Sequence, residues 1–485
     1  MNQTISGKEL IARGWKTGPE LGAALRRANE VLSGGGNREE ALAAAGLPPA
    51  EPSTLSLRAA PVELTAAVGA PETEEEAGNL AMVREHMSRL LRVPVVTAAT
   101  VMPDCCPSGP SPITVGGAIA AENALLPDSH SADICCSMCA TFYTSSFGAS
   151  QQLNTLMQVT RFGQGGRPEH QWVDHPVIGQ RDDSNPFLKG LDRYVRMHLA
   201  DQGDGNHFSY IGQLNLTAEF LGGLDQAGYS DLAQELSMTP GEPFVYVLVT
   251  HHGSRGLGAQ VYKRGQEVAE RFARRLCPET PKGTEWIPFE TPEGQQYWKA
   301  LQYVQDWTKA NHEIIHTRFA LEAKAQSCGR FFNAHNFVWR RGDLFLHGKG
   351  ATPAWKDDTG RPLLGLIPLN MASPILIVAG NDNARYLSFA PHGAGRNRSR
   401  TATIQSFANP DEMEKAYTEA TRGVDVRWYS GKKDVSESPL GYKNAQKVKS
   451  EIQQFGLATV IGEIQPLGCI MAGEQPEPFW KKKKK

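Results

Sequence analysis

The first fifty positions alternate short helical periodicities with turn residues. Ser6 with Glu9 and Thr17 with Glu20 each show the capping-box spacing, the second with Pro19 just inside, so two short helices are predicted. Leu21, Leu25 and Leu32 repeat at helical spacing, the glycines at 34 to 36 end that helix, and Arg38 to Ala45 predicts another short helix. Residues 1 to 47 therefore read as a small helical appendage. Its stretch from Ser6 to Leu25 resembles a helical segment of CCA-adding tRNA nucleotidyltransferases, a hint of RNA contact. Proline and acidic residues crowd between Pro48 and Glu76, so 48 to 75 reads as a connector, 76 to 480 as the main domain and Lys481 to Lys485 as a solvated basic tail. From Val93 onward, runs rich in valine and isoleucine alternate with helical stretches, and the most informative polar residues fall just after an apolar run. Phe244 to Thr250 reads as a buried strand with a helix soon after it, and Trp307 to Ala325 as a helix.

Composition narrows the class. With 485 residues, 40% hydrophobic and 21% charged, the chain reads as a soluble globular enzyme, neither disordered nor fibrous. A net charge of -2 and a pI of 6.7 mean that a nucleic acid would have to meet a local basic groove. No run approaches the roughly 20 apolar residues that span a bilayer, and no leader pattern opens the chain, so a cytoplasmic protein with no membrane partner is expected. Of eight cysteines, five fall in two tight groups, Cys105 with Cys106, and Cys135, Cys136 and Cys139, a distribution that suggests metal or catalysis before disulfides.

The candidate chemistry lies in five separated stretches. Asp133 and Cys136 stand three residues apart, so a hard carboxylate and a soft thiolate can reach one borderline divalent ion from a single turn. Asn206 and His207 sit in a glycine-flanked loop that can set an imidazole on metal and an amide on phosphate. The 244 to 250 run discharges into His251-His-Gly-Ser-Arg-Gly256, where Ser254, Arg255 and backbone amides offer a phosphate site. His335 and Asn336 lie among aromatic residues, followed by Lys349 as a mobile phosphate-binding charge. Last, His392 lies in a glycine nest, His392-Gly-Ala-Gly-Arg396, with Arg398 and Arg400 close behind. Such a histidine can be a nucleophile toward phosphorus, or part of a basic turn that holds RNA.

In this order, from Met102 to Gly473, these segments resemble the RtcB family of tRNA-splicing and RNA-repair ligases. The family's Asp-x-x-Cys falls on Asp133 and Cys136, its Asn-His on Asn206 and His207, its His-x-Gly-Ser-Arg-Gly on His251 to Gly256, and a further metal histidine on His335. The resemblance implies an α+β fold with a β-sheet core surrounded by helices. It implies two manganese ions, with zinc accepted in vitro, one held by Asp133, Cys136 and His207 and the other by Cys136, His251 and His335. GTP would be attacked by His392, with Asn206, His335, Asn336, Gly393, Ala394, Gly395, Arg396 and Tyr442 around the nucleotide. Asp104, Ser254, Arg255, Lys349, Arg398 and Arg400 would meet phosphates or RNA. The implied reaction joins RNA 3'-phosphate or 2',3'-cyclic phosphate ends to 5'-hydroxyl ends through a histidine-guanylate intermediate. The implied substrates are tRNA halves or nicked ribosomal RNA, with room for an RNA-processing protein partner.

Departures from the family pattern cluster at the nucleotide. Tyr210 replaces a glutamate that would pair with guanine, Ala472-Gly473 replaces Lys-Gly, Pro368-Leu-Asn-Met-Ala372 replaces Pro-Gly-Ser-Met-Gly, Gly348 replaces an arginine, and Cys106 stands for a histidine. An RNA-binding or damage-sensing protein, or a cyclic phosphodiesterase without guanylate transfer, is the alternative these changes leave open. A further rival comes from His312-Glu-Ile-Ile-His316, which fits the zinc-peptidase pattern on a helix.

Overall fold

A computed structural model describes residues 4–48, 54–109, 111–239 and 243–474; the basic tail expected at 481–485 lies outside them. The chain divides into two compact units, Met1–Leu55 and Ser56–Lys485. The first holds the helices Gly7–Ala12, Pro19–Ser33 and Arg38–Ala45. Ser6 caps the first by accepting from the Glu9 amide. The second starts differently from the expected Thr17 and Glu20 box: its cap position is Gly18, with no side-chain cap and Pro19 at the first turn. Asn37 and Glu40 close a reciprocal capping box at the third. Leu10, Trp15, Leu21, Ala24, Ala28 and Ala41 form this unit's own core.

The second unit is built on two main sheets. The smaller runs, in spatial order, Leu64–Ala66, Val96–Cys106, Val115–Glu122, Leu344–Lys349 and Asn336–Arg341. Leu64–Ala66 falls inside the stretch expected to be a connector, yet it pairs in parallel with Val96–Cys106. Its apolar neighbours explain this, since Val62, Leu64, Ala66 and Val68 pack against the core that the helix Glu74–Leu90 covers.

The larger sheet runs Gln326–Ala334, Ser137–Thr144, Phe244–His252, Phe208–Asn215, Ala458–Met471, Ile375–Gly380 and Leu364–Pro368, with Asp425–Trp428 pairing Ala458–Met471. Phe244–His252 is buried along nearly its whole length, because both faces of the sheet are covered. On one face Met138, Ala140, Phe142, Tyr210, Val247 and Val249 pack with Leu366, Ile375 and Ile377. On the other, Tyr143, Ile211, Leu248 and Ile470 meet Leu153, Leu156 and Phe319 of the helices Ala149–Val159 and Pro292–Glu322. The long helix includes most of the predicted 307–325 stretch but begins at Pro292, where Thr291 caps the Gly294 amide. Arg255–Leu276 is the helix expected after the 244–250 run.

Candidate metal centre and nucleotide cavity

Four adjacent strands of the larger sheet bring the side chains that could hold metal ions to one end. Cys136 precedes Ser137–Thr144, His207 precedes Phe208–Asn215, His251 lies in Phe244–His252, and His335 follows Gln326–Ala334. Register fixes their level: Met138 and Phe208 both stand opposite His251, and Ala334 stands opposite Ser137. The Cys136 amide donates to the Asp133 carbonyl at 3.1 Å, and Cys135 adopts φ +57° between them. That turn puts a carboxylate and a thiol at the same corner. Gly253 is required beside it, because a Cβ there would lie 2.1 Å from Asp133 Oδ1.

Cys136 Sγ lies 3.5 Å from His207 Nε2 and 3.2 Å from His251 Nε2. His207 Nε2 is 3.0 Å from Asp133 Oδ2, and His251 Nε2 is 3.2 Å from His335 Nε2. Two triads result, Asp133–Cys136–His207 and Cys136–His251–His335, which share one sulfur. The donors suit metal for a specific reason. His251 Nδ1 donates to the Asn206 carbonyl at 3.2 Å, so the Nε2 lone pair is left facing His335 and the sulfur. Lone pairs so close together repel unless a cation lies among them. Burial, first, and the neighbouring imidazoles hold His251 and His335 well below the usual histidine range, which favours the neutral imidazoles that a metal could take as ligands. Burial alone would raise the Asp133 carboxyl, but the charges of His207 and Arg255 hold it well below the usual carboxylate range. Burial and Asp133 push the Cys136 thiol up; a bound divalent ion would supply the positive charge that favours thiolate.

His392 stands beside this centre, its ring centroid 4.8 Å from that of His335. It opens onto a cavity of about 220 Å³ lined by Asn206, Phe208, Tyr210, the Pro368 to Met371 loop, the 393 to 396 nest, Arg400 and Tyr442. Gly395 is held at φ +72°, where a Cβ would lie 2.0 Å from the Asp104 carbonyl oxygen. Cys106, at the position where the family has a histidine, also lines the cavity.

Other expected contacts lie elsewhere. Asp104, expected at phosphates or RNA, is fully buried behind His392, a place suited to orienting an imidazole and not to meeting an anion. The Ser254 hydroxyl is buried and donates to the Ile134 carbonyl at 2.6 Å. Arg255 pairs with Asp204 at 3.2 Å. Lys349 is not mobile: it is buried, donates to Ser111 Oγ at 3.0 Å, and desolvation lowers it to about 8. Arg398 pairs with Glu75 at the surface. The Asn336 amide is tied up structurally, its Oδ1 accepting from the Gly350 amide at 2.7 Å. Arg396 and Arg400 do reach the cavity, where both pair with Glu437.

Glu437 is a residue the motifs alone did not single out. It is buried, accepts from the Tyr442 hydroxyl at 2.7 Å, and sets the two arginines on one side of the cavity. Its place inside Glu437-Ser-Pro-Leu-Gly-Tyr-Lys443 was the available signal. The zinc-peptidase reading of 312–316 does not hold. His312 and His316 point inward, onto Ser137, Thr141 and Thr250, whereas Glu313 between them is exposed, so no open cleft joins the two histidines to that carboxylate.

A family model described as tRNA-splicing ligase RtcB matches residues 181–472, more than half of the chain. Proteins named tRNA-splicing ligase RtcB are similar to it. The one from Pyrococcus horikoshii is 27% identical over 341 residues, covering 64% of this chain and 36% of that protein. The one from Pyrococcus furiosus is 26% identical over 344 residues, covering 64% and 32%. The one from Pyrobaculum aerophilum is 28% identical over 340 residues, covering 64% and 66%. The chain thus spans about a third of the length of the two Pyrococcus relatives. Asp104, Asp133 and Cys136 precede the matched span, yet the fold brings them to the residues inside it. The extent of the match and the ordered motifs place this chain in the RtcB family.

Proposed function

We propose that this protein is an RNA ligase of the RtcB type, which uses GTP to join RNA 3'-phosphate or 2',3'-cyclic phosphate ends to 5'-hydroxyl ends. The observation that carries the reading is one sulfur, Cys136, common to two ligand triads, with His392 packed against the second of them. Asp133, Cys136 and His207 would hold one manganese ion, and Cys136, His251 and His335 another. Bound there, the ions would neutralise phosphate charge.

The chain's own residues account for the remaining steps. Asp104 accepts a hydrogen bond from His392 Nδ1–H, so Nε2 carries the lone pair that attacks the GTP α-phosphorus. The nitrogen–phosphorus bond forms as the bond from the α-phosphorus to the bridging oxygen breaks, and pyrophosphate leaves. The RNA 3'-phosphate, present as such or formed when water opens a 2',3'-cyclic phosphate at its bond to O2', then takes the guanylate from His392, and the 5'-hydroxyl displaces GMP as the phosphodiester forms. Arg396 and Arg400, held by Glu437, face the same cavity and offset negative charge. Incubation with manganese and α-labelled GTP tests the reading. Acid-labile, alkali-stable label on the protein, absent from His392→Ala, is expected, together with sealing of a nicked RNA; label that persists in His392→Ala removes His392 from the role.

A further inference from the structure

The larger sheet and the helix Pro292–Glu322 do not meet through apolar side chains alone. Opposite the metal centre, where strand alternation turns Ser137, Cys139, Thr141, Thr250 and His252 toward the helix, the layer is polar and fully enclosed. Cys139 stands opposite Thr250 in register, and His312 and His316, four residues apart, reach down from one face of the helix. Cys139 Sγ and one nitrogen of each ring all lie within 4.8 Å of one another, the same spacing that defines the two triads of the main centre.

We propose that Cys139, His312 and His316 form a third metal site, separate from the two-ion centre, which takes a zinc-like divalent cation and ties the helix to the sheet. The donor set, one thiolate and two imidazoles, suits a borderline ion. All three side chains are at most 2% exposed, which marks a closed structural site without access for substrate. The surroundings are those of metal-ligating imidazoles. Ser137 Oγ stands 3.1 Å from His312 Nε2 and Thr141 Oγ1 2.7 Å from His316 Nδ1. Thr250 Oγ1 lies 2.6 Å from His312 Nδ1 and 2.7 Å from His316 Nε2, between the two rings, as a fourth, oxygen donor. Each ring can thus give one nitrogen to the ion and hold a hydroxyl with the other.

The thiol is the one donor atom of the triad that the hydroxyls leave over. Every ring nitrogen of His312 and His316 has a hydroxyl partner, but among the described residues the Cys139 thiol has no hydrogen bond. Arg330 Nε donates to Thr141 Oγ1 at 2.8 Å at the edge of this layer.

The test uses the full-length Cys136→Ala protein, loaded with Zn²⁺ alone and dialysed against a mild chelator. About one zinc per chain should remain, with one sulfur at about 2.3 Å and imidazole nitrogen in its X-ray absorption spectrum. The Cys136→Ala, Cys139→Ala double variant should lose that zinc. No retained zinc, a sulfur-free shell, or full retention in the double variant overturns the proposal. Should the double variant not fold, the absorption spectrum of Cys136→Ala decides alone. The shared sulfur is missing from both proteins, so a sulfur in the zinc shell cannot come from the ligand triads of the two-ion centre.

Discussion

Asp104 Oδ2 lies 2.6 Å from His392 Nδ1 and 3.2 Å from the His392 amide nitrogen, so one buried carboxylate oxygen holds both the ring and the backbone of the proposed nucleophile. An oxygen so placed selects the tautomer with its proton on Nδ1 and steadies the positive charge that develops on the ring during attack.

Asp104→Asn is therefore expected to slow guanylate transfer to His392 by about 100-fold or more, the scale on which a misplaced proton affects general acid–base chemistry. Single-turnover labelling with GTP measures this. The substitution should leave metal content unchanged, since Asp104 belongs to neither triad. A wild-type rate in Asp104→Asn would separate the carboxylate from the chemistry.

Cys136→Ala should lower occupancy at both positions of the main centre, whereas Asp133→Ala should affect mainly the one it shares with His207. Metal analysis after dialysis against manganese distinguishes them. Equal loss in the two variants would mean that the sulfur does not bridge.

Base selectivity should be broad. The Tyr210 hydroxyl donates to the Ile464 carbonyl at 3.0 Å, and Glu437, the carboxylate among the cavity-lining residues, is already paired with Arg396, Arg400 and Tyr442. No unpaired carboxylate among the cavity-lining residues awaits the guanine edge, and discrimination by that hydrogen-bond partner is thereby lost. Labelling with a panel of the four nucleoside triphosphates should give efficiencies within about tenfold of one another. A preference for GTP above about 1000-fold would show a guanine contact outside this cavity lining.

Acid should destabilise the fold well before carboxylates titrate. Burial lowers His130 to about 4 and His347 to about 3 in the folded protein, against an ordinary value of 6.5. The unfolded chain therefore binds protons that the folded chain refuses, and stability present above about pH 6.5 is lost as pH falls toward 4. Each such group contributes a slope of up to about 1.4 kcal/mol per pH unit. Urea unfolding of metal-free protein at pH 7 and pH 5 measures it, and His130→Gln should reduce the slope by about one proton.

The chemistry was largely legible in the chain. Residue types at fixed local spacing, such as a carboxylate three positions before a thiol or a histidine in a glycine nest, named the side chains that the fold draws together. Helix caps such as Ser6 were legible for the same reason, since their physics is complete within four residues.

Other matters needed the sheet. His251 and His252 are adjacent in sequence and of one residue type, but strand alternation turns one toward the shared sulfur and the other toward the long helix. The same alternation separates Cys136 from Cys139. Lys349, Ser254 and Arg398 looked like phosphate ligands because local sequence does not state burial or partners, and each is engaged elsewhere in the fold. Asp104 meets His392 from 288 positions away, and Glu437 meets Arg400 and Arg396 from 37 and 41 positions away, pairings that tertiary structure assigns. Local sequence determined which groups exist; long-range strand register determined which of them face one another, because the direction of a side chain in a sheet depends on its partner strands.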